Sequence, residues 1–142
     1  MTAFKFPLKR VLDWRRTQLE LEEARYKQQA AKLAELDRTR AEIEAEGIRA
    51  EVQVREWNPI VGSDLEALST FRVRVKSREK QTAAKRVESV HKLAEQQRVM
   101  MEARRRYELL ERLEERKLAE WRAARDREMD ELASESFLAK WK

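Results

Sequence analysis

From Leu8 onward, positions separated by alternating steps of four and three keep a single phase: Leu8, Leu12, Arg15, Leu19, Glu22, Tyr26, Gln29, Leu33, Leu36, Arg40, Ile43, Gly47, Ala50, Val54 and Trp57. Ten of these fifteen are apolar or alanine. That spacing is a heptad seam, the one stripe a helix buries against a partner helix. Arg15, Glu22, Gln29 and Arg40 interrupt it, and polar seam residues trade stability for a fixed register. Pro7 suits a helix start, which predicts a first helix over about 7–57.

The pattern then breaks at Asn58-Pro59-Ile60-Val61-Gly62-Ser63. Proline lacks the amide a helix needs, and glycine loosens the backbone beside it. Ser63 and Glu66 have the spacing of a capping box, so the chain reverses over 58–63 and a second helix starts at Asp64. Its stripe is poorer: Leu65, Leu68, Phe71 and Val75, then Ala83, Val87, Val90, Leu93, Ala94, Met100, Met101, Tyr107, Leu110, Leu113, Leu118 and Trp121. Nothing apolar lies between Val75 and Ala83, so a loose contact is expected there. The second helix is predicted over about 64–133, with Ser134-Glu135-Ser136 ending it and a tail over 134–142.

These elements predict an all-α fold, a long antiparallel two-helix coiled-coil hairpin in one domain. At 1.5 Å per residue the helices span roughly 75 Å and roughly 105 Å. With Trp57 facing Asp64, Leu33 falls near Val87 and Val90, Tyr26 near Leu93, and Leu8 near Leu113. Residues beyond about Glu114 then have no partner, which leaves a C-terminal single-helix extension. It carries Leu118, Trp121, Met129 and Leu132, followed by Phe137, Leu138 and Trp141. Apolar side chains without a partner on a solvated helix point to a docking surface.

Composition agrees with this and removes alternatives. Of 142 residues, 42% are charged and 7% aromatic, with two glycines and two prolines. This is a long-helix profile rather than that of a globular core. With no cysteine there is no disulfide framework, which suits a reducing cytoplasm. No apolar run is long enough to span a membrane, and the first residues lack the apolar core of a secretory signal. The net charge of +5 is concentrated between Arg72 and Arg112, where thirteen Lys and Arg face six Glu.

Candidate chemistry is sparse. His91 has no second histidine or cysteine for a metal site, and the glycines are too isolated to hold a phosphate. Neighbouring carboxylates such as Glu114 and Glu115 lie on a helix with no pocket to shift their pKa values. The sequence therefore predicts neither an enzyme nor a cofactor. Nucleic-acid binding is not expected either: Arg72, Arg74, Lys76, Arg78 and Lys80 alternate at a period of two, which spreads them around a helix.

The opening Phe4-Lys5-Phe6-Pro7-Leu8-Lys9-Arg10-Val11-Leu12-Asp13-Trp14-Arg15 resembles the start of the FliJ family, flagellar export proteins of bacteria. Glu20-Leu21-Glu22-Glu23-Ala24 is similar to the family's acidic continuation, and Arg127-Glu128-Met129-Asp130-Glu131-Leu132-Ala133 to its closing segment. The resemblance covers nearly the whole chain. It implies a stalk similar to the gamma subunit of rotary ATP synthases, whose terminal end enters the hexameric ring of the export ATPase. It further implies contact with the cytoplasmic domain of the membrane export gate and a link to recycling of export chaperones. The location implied is cytoplasmic, peripheral to the inner membrane. The residues expected at the ring are Lys9, Arg10, Arg15 and Arg16 on the first helix, with Trp121, Arg122, Arg125, Met129 and Leu132 on the second. Phe71 and Val75 are the candidates for the gate. A virulence-secretion stalk, a generic coiled-coil adaptor and a basic binder of nucleic acid or anionic membrane are the alternative readings.

Overall fold

A computed structural model describes residues 2–57 and 61–141, so Asn58, Pro59 and Ile60 of the expected turn lie outside the described residues. The chain is all-α, a hairpin of two long helices packed against each other: α1 over Lys9–Arg55 and α2 over Gly62–Lys140. Alanine, leucine, glutamate and arginine dominate both, and each of these loses little freedom in a helix. Among the described residues no helix is long and apolar enough to cross a membrane.

Local signals explain most of the boundaries. Before α1, the amide of Lys9 donates to the Phe6 carbonyl and that of Leu12 to Leu8. Pro7 thus sits in the turn that leads into the helix. At the far end, Glu56 and Trp57 donate to Gln53 and Val54, an i to i−3 pattern that tightens a last turn. α2 opens at Gly62, with the Val61 carbonyl accepting from Asp64 and Leu65. Ser63 therefore lies inside the first turn, not ahead of it as a cap. The expected end near Ala133 is corrected: α2 runs on to Lys140. Serine is only mildly unfavourable in a helix interior, and no proline or glycine follows to stop it.

The chain divides into two compact units. The first comprises Met1–Glu22 with Met100–Lys142, and the second Glu23–Val99. In the second unit Ile43 is buried to 1% exposure and Leu68 to 8%. Ion pairs mark the facing register there: Glu51 with Arg72 at 2.6 Å, Glu46 with Arg78 at 2.9 Å and Asp37 with Arg86 at 2.7 Å. These partners lie two or three residues further along α2 than a pairing of Trp57 with Asp64 predicts. Gly47 does not mark a tight crossing, since a Cβ built on it would stand 3.7 Å from Val75 Cγ1, an ordinary van der Waals contact.

The expected seam is present within α1, with Leu12, Leu19, Glu22 and Ile43 buried, although Arg40 is exposed and Thr39 half-buried in its stead. Its two expected ends, Leu8 and Trp57, lie outside α1 and are exposed. In the middle of α2 the expected seam is wrong. Ala83, Val87 and Val90 face solvent, while Thr82 and Ser89 are buried and Arg86 half-buried. The reason is phase: Leu68, Val75, Thr82 and Ser89 repeat every seven residues, and Leu68 and Val75 hold that phase at the turn side. Leu65 and Met101 are likewise exposed, beside half-buried Asp64 and Met100.

Two expectations follow for stability. Leu12→Ala and Ile43→Ala should each cost about 2–4 kcal/mol in chemical denaturation, because both side chains are fully enclosed. The Arg72 guanidinium, hydrogen-bonded to Glu51, holds that carboxyl below its ordinary value of 4.5. A lowered carboxylate pKa contributes stability that is complete above the ordinary value and is lost as pH falls through the lowered one. Glu51→Gln should therefore lower the urea midpoint slightly at pH 7, and the difference from wild type should vanish well below pH 4.5.

Candidate partner interface

The first unit holds every residue expected at a ring. It begins with an extended segment, Thr2 to Phe6, that lies on α2 rather than leaving it bare. Phe6 is buried to 9% exposure. The Trp121 indole Nε1 donates to the Thr2 carbonyl at 3.2 Å, and the Trp121 and Phe4 rings meet at a tilt with centroids 6.1 Å apart. Trp121 is thus half-buried by the start of the chain. The unpaired part of α2 begins after it, later than the expected Glu114. A cleft of about 900 Å³ remains between this segment, Lys117 and Trp121.

The basic residues near the start of α1 have different surroundings. Lys9 Nζ stands 3.7 Å from Glu114 Oε2 and 3.7 Å from Asp13. Arg16 donates through Nε and Nη2 to the Tyr107 hydroxyl, both at 3.3 Å, and lies 5.6 Å from that ring's centroid. The hydroxyl contact, supported by Asp13 and Glu20, holds the guanidinium pKa above its ordinary value. Arg15 stacks on Trp14 at 4.6 Å, and Arg10 is exposed. So Lys9 and Arg16 fasten α1 to α2, while Arg10 stays open to solvent.

Further along α2, Arg125 covers the Trp121 ring at 5.1 Å and lies 3.5 Å from Asp126, with Arg122 exposed nearby. Every described residue from Arg125 to Trp141 is exposed. Met129 is 62% exposed, Leu132 55%, Phe137 60% and Trp141 78%. Phe137 and Trp141 touch at 6.0 Å between centroids, as positions one helical turn apart do. Because α2 continues to Lys140, Phe137 lies on the same helix as Met129 and Leu132, though on a different side of it, and Trp141 directly follows the helix end. Phe137 thus lies on α2 and not in the tail expected over 134–142.

In the second unit, Phe71 and Val75 are half-buried and line a cleft of about 610 Å³ with Gly47, Ile48 and Val52. Ile48 and Val52 are themselves exposed, and the Glu51–Arg72 pair stands at the rim. The missing side chain of Gly47 opens the floor of this cleft. Sequence spacing gave Phe71 and Val75, whereas Ile48 and Val52 fall outside the heptad phase and left no signal.

The class this architecture defines is an antiparallel coiled-coil hairpin with an unpaired helical end. No family model matches the chain, and no curated protein or solved structure matches it.

Proposed function

We propose that the protein is a non-enzymatic stalk of a bacterial type III export apparatus, of the flagellar kind the FliJ resemblance implies. The observation that carries this reading is the exposed run of α2 from Arg125 onward, a lone helix bearing Met129, Leu132, Phe137 and Leu138, with Trp141 just past its end. Large apolar side chains on a solvated helix are a docking face. A ring of subunits around a lumen fits a single helix because it meets all sides at once. Arg122 and Arg125 lie at the start of that run and, with the exposed Arg10 on α1, would complement an acidic lumen. The cleft at Phe71 and Val75 is the proposed contact for the cytoplasmic domain of the export gate. In this reading the protein works in the cytoplasm, peripheral to the inner membrane, and serves the recycling of export chaperones.

Incubating the purified chain with a hexameric export ATPase tests the proposal. Co-purification and stimulated ATP hydrolysis are expected. Absence of both would leave the chain a generic coiled-coil adaptor, and salt-resistant binding to a defined DNA site would favour the basic-binder reading.

A further inference from the structure

Over one stretch of the second unit, α2 carries two heptad stripes a single residue apart. Thr82, Arg86 and Ser89 are turned inward: Thr82 is 7% exposed and Ser89 8%, and the Ser89 hydroxyl has no hydrogen-bond partner. Ala83, Val87, Val90 and Ala94 are turned outward, with Val87 70% exposed and Val90 41%. Polar side chains are enclosed and apolar ones solvated, the reverse of what burial favours. A buried hydroxyl without a partner is destabilising as well.

The neighbours hold this arrangement in place. Leu68 and Val75 pin the inward phase on one side and Leu93 continues it on the other. The Asp37–Arg86 ion pair at 2.7 Å ties the middle. The packing around it is open, however. A cleft of about 390 Å³ runs past Leu36, Thr39, Thr82 and Ser89, and another of about 600 Å³ past Arg40, Ala83 and Val87. α2 has room to turn there.

We propose that residues 82–90 of α2 alternate between two seams by rotating one position about the helix axis, roughly 100°, while Val75 and Leu93 keep their places. In the second seam Ala83, Val87 and Val90 face α1, while Thr82 and Ser89 gain water. The steps from Val75 then read 79, 83, 87, 90 and 93 in place of 79, 82, 86, 89 and 93, three fours in a row followed by two threes. The run of fours unwinds the coiled coil locally and the paired threes wind it back, without breaking its helices. The Asp37–Arg86 pair favours the first seam and valine burial the second, so opposing contributions keep both accessible.

The chain has no cysteine, so single cysteines report directly on solvent access. Ser89→Cys is expected to react with a maleimide roughly ten to a hundred times more slowly than Val73→Cys, as a position exposed only in the second seam would. Adding Val87→Ser with Val90→Ser should slow it roughly tenfold more, because the second seam loses its apolar contacts. Adding Thr82→Leu instead should slow it similarly by filling the first seam. Circular dichroism should report unchanged helicity throughout. An unreactive Ser89→Cys would overturn the proposal. So would a rate that the valine substitutions leave unchanged or raise, which is the mark of local melting.

Discussion

Replacing Met129 and Leu132 together with aspartate is expected to weaken binding to a hexameric export ATPase by about a hundredfold or more and to abolish its stimulation. Truncating an anchor side chain at an interface centre costs about 2 kcal/mol or more, and an introduced charge adds desolvation. Folding should be nearly unaffected. Met129 and Leu132 are 62% and 55% exposed, and aspartate costs a helix interior only about 0.7 kcal/mol relative to alanine. Helicity by circular dichroism should therefore stay close to that of the wild type. Retained affinity in the double variant would refute the role given to this end of α2, and a large loss of helicity would show that these side chains belong to a core. Trp121→Ala is a poorer probe, since it also releases the segment held through Thr2 and Phe4.

The second large effect is a gain in stability. Thr82→Leu with Ser89→Leu should raise the thermal midpoint by roughly 10 °C, from about 1.5 kcal/mol or more of added apolar burial at each site. The cleft beside Thr82 and Ser89 gives the larger side chains room, and removing the Ser89 hydroxyl also eliminates a buried group without a partner. A thermal melt followed at the helical band checks it. An unchanged or lower midpoint would mean that the two helices cannot accommodate leucine there.

The sequence made the α1 seam legible because its apolar residues keep one phase over the whole helix. Leu12, Leu19 and Ile43 are buried where the spacing puts them, and so is the polar Glu22. In α2 the same reasoning failed between Val75 and Leu93. Spacing selects the most apolar stripe, whereas the helix follows the phase its flanks impose. At the candidate interface, Met129 and Leu132 were legible as apolar residues beyond the reach of α1. The contact of Phe4 and Phe6 with α2 was not, since an extended segment of a few residues has no period to detect. Ser134 and Ser136 suggested a helix end because serine favours caps, but without a following glycine or proline the helix continues.

The contact between the Trp121 indole and the Thr2 carbonyl joins residues 119 positions apart, while Glu51 and Arg72 are separated by only 21. Loop closure makes near pairs cheap and distant ones slow to form. The hairpin should therefore fold like a zipper that closes at its turn and works toward Trp121. Substitutions around Ile43 and Leu68 should slow refolding, and those at Phe4 or Trp121 should mainly speed unfolding. During synthesis the consequence is sharper. The first residues leave the ribosome on the order of five to twenty seconds before their partner on α2 exists, at about 5–20 residues per second. For that interval the side chain of Phe4 lacks the Trp121 ring that it meets in the folded chain.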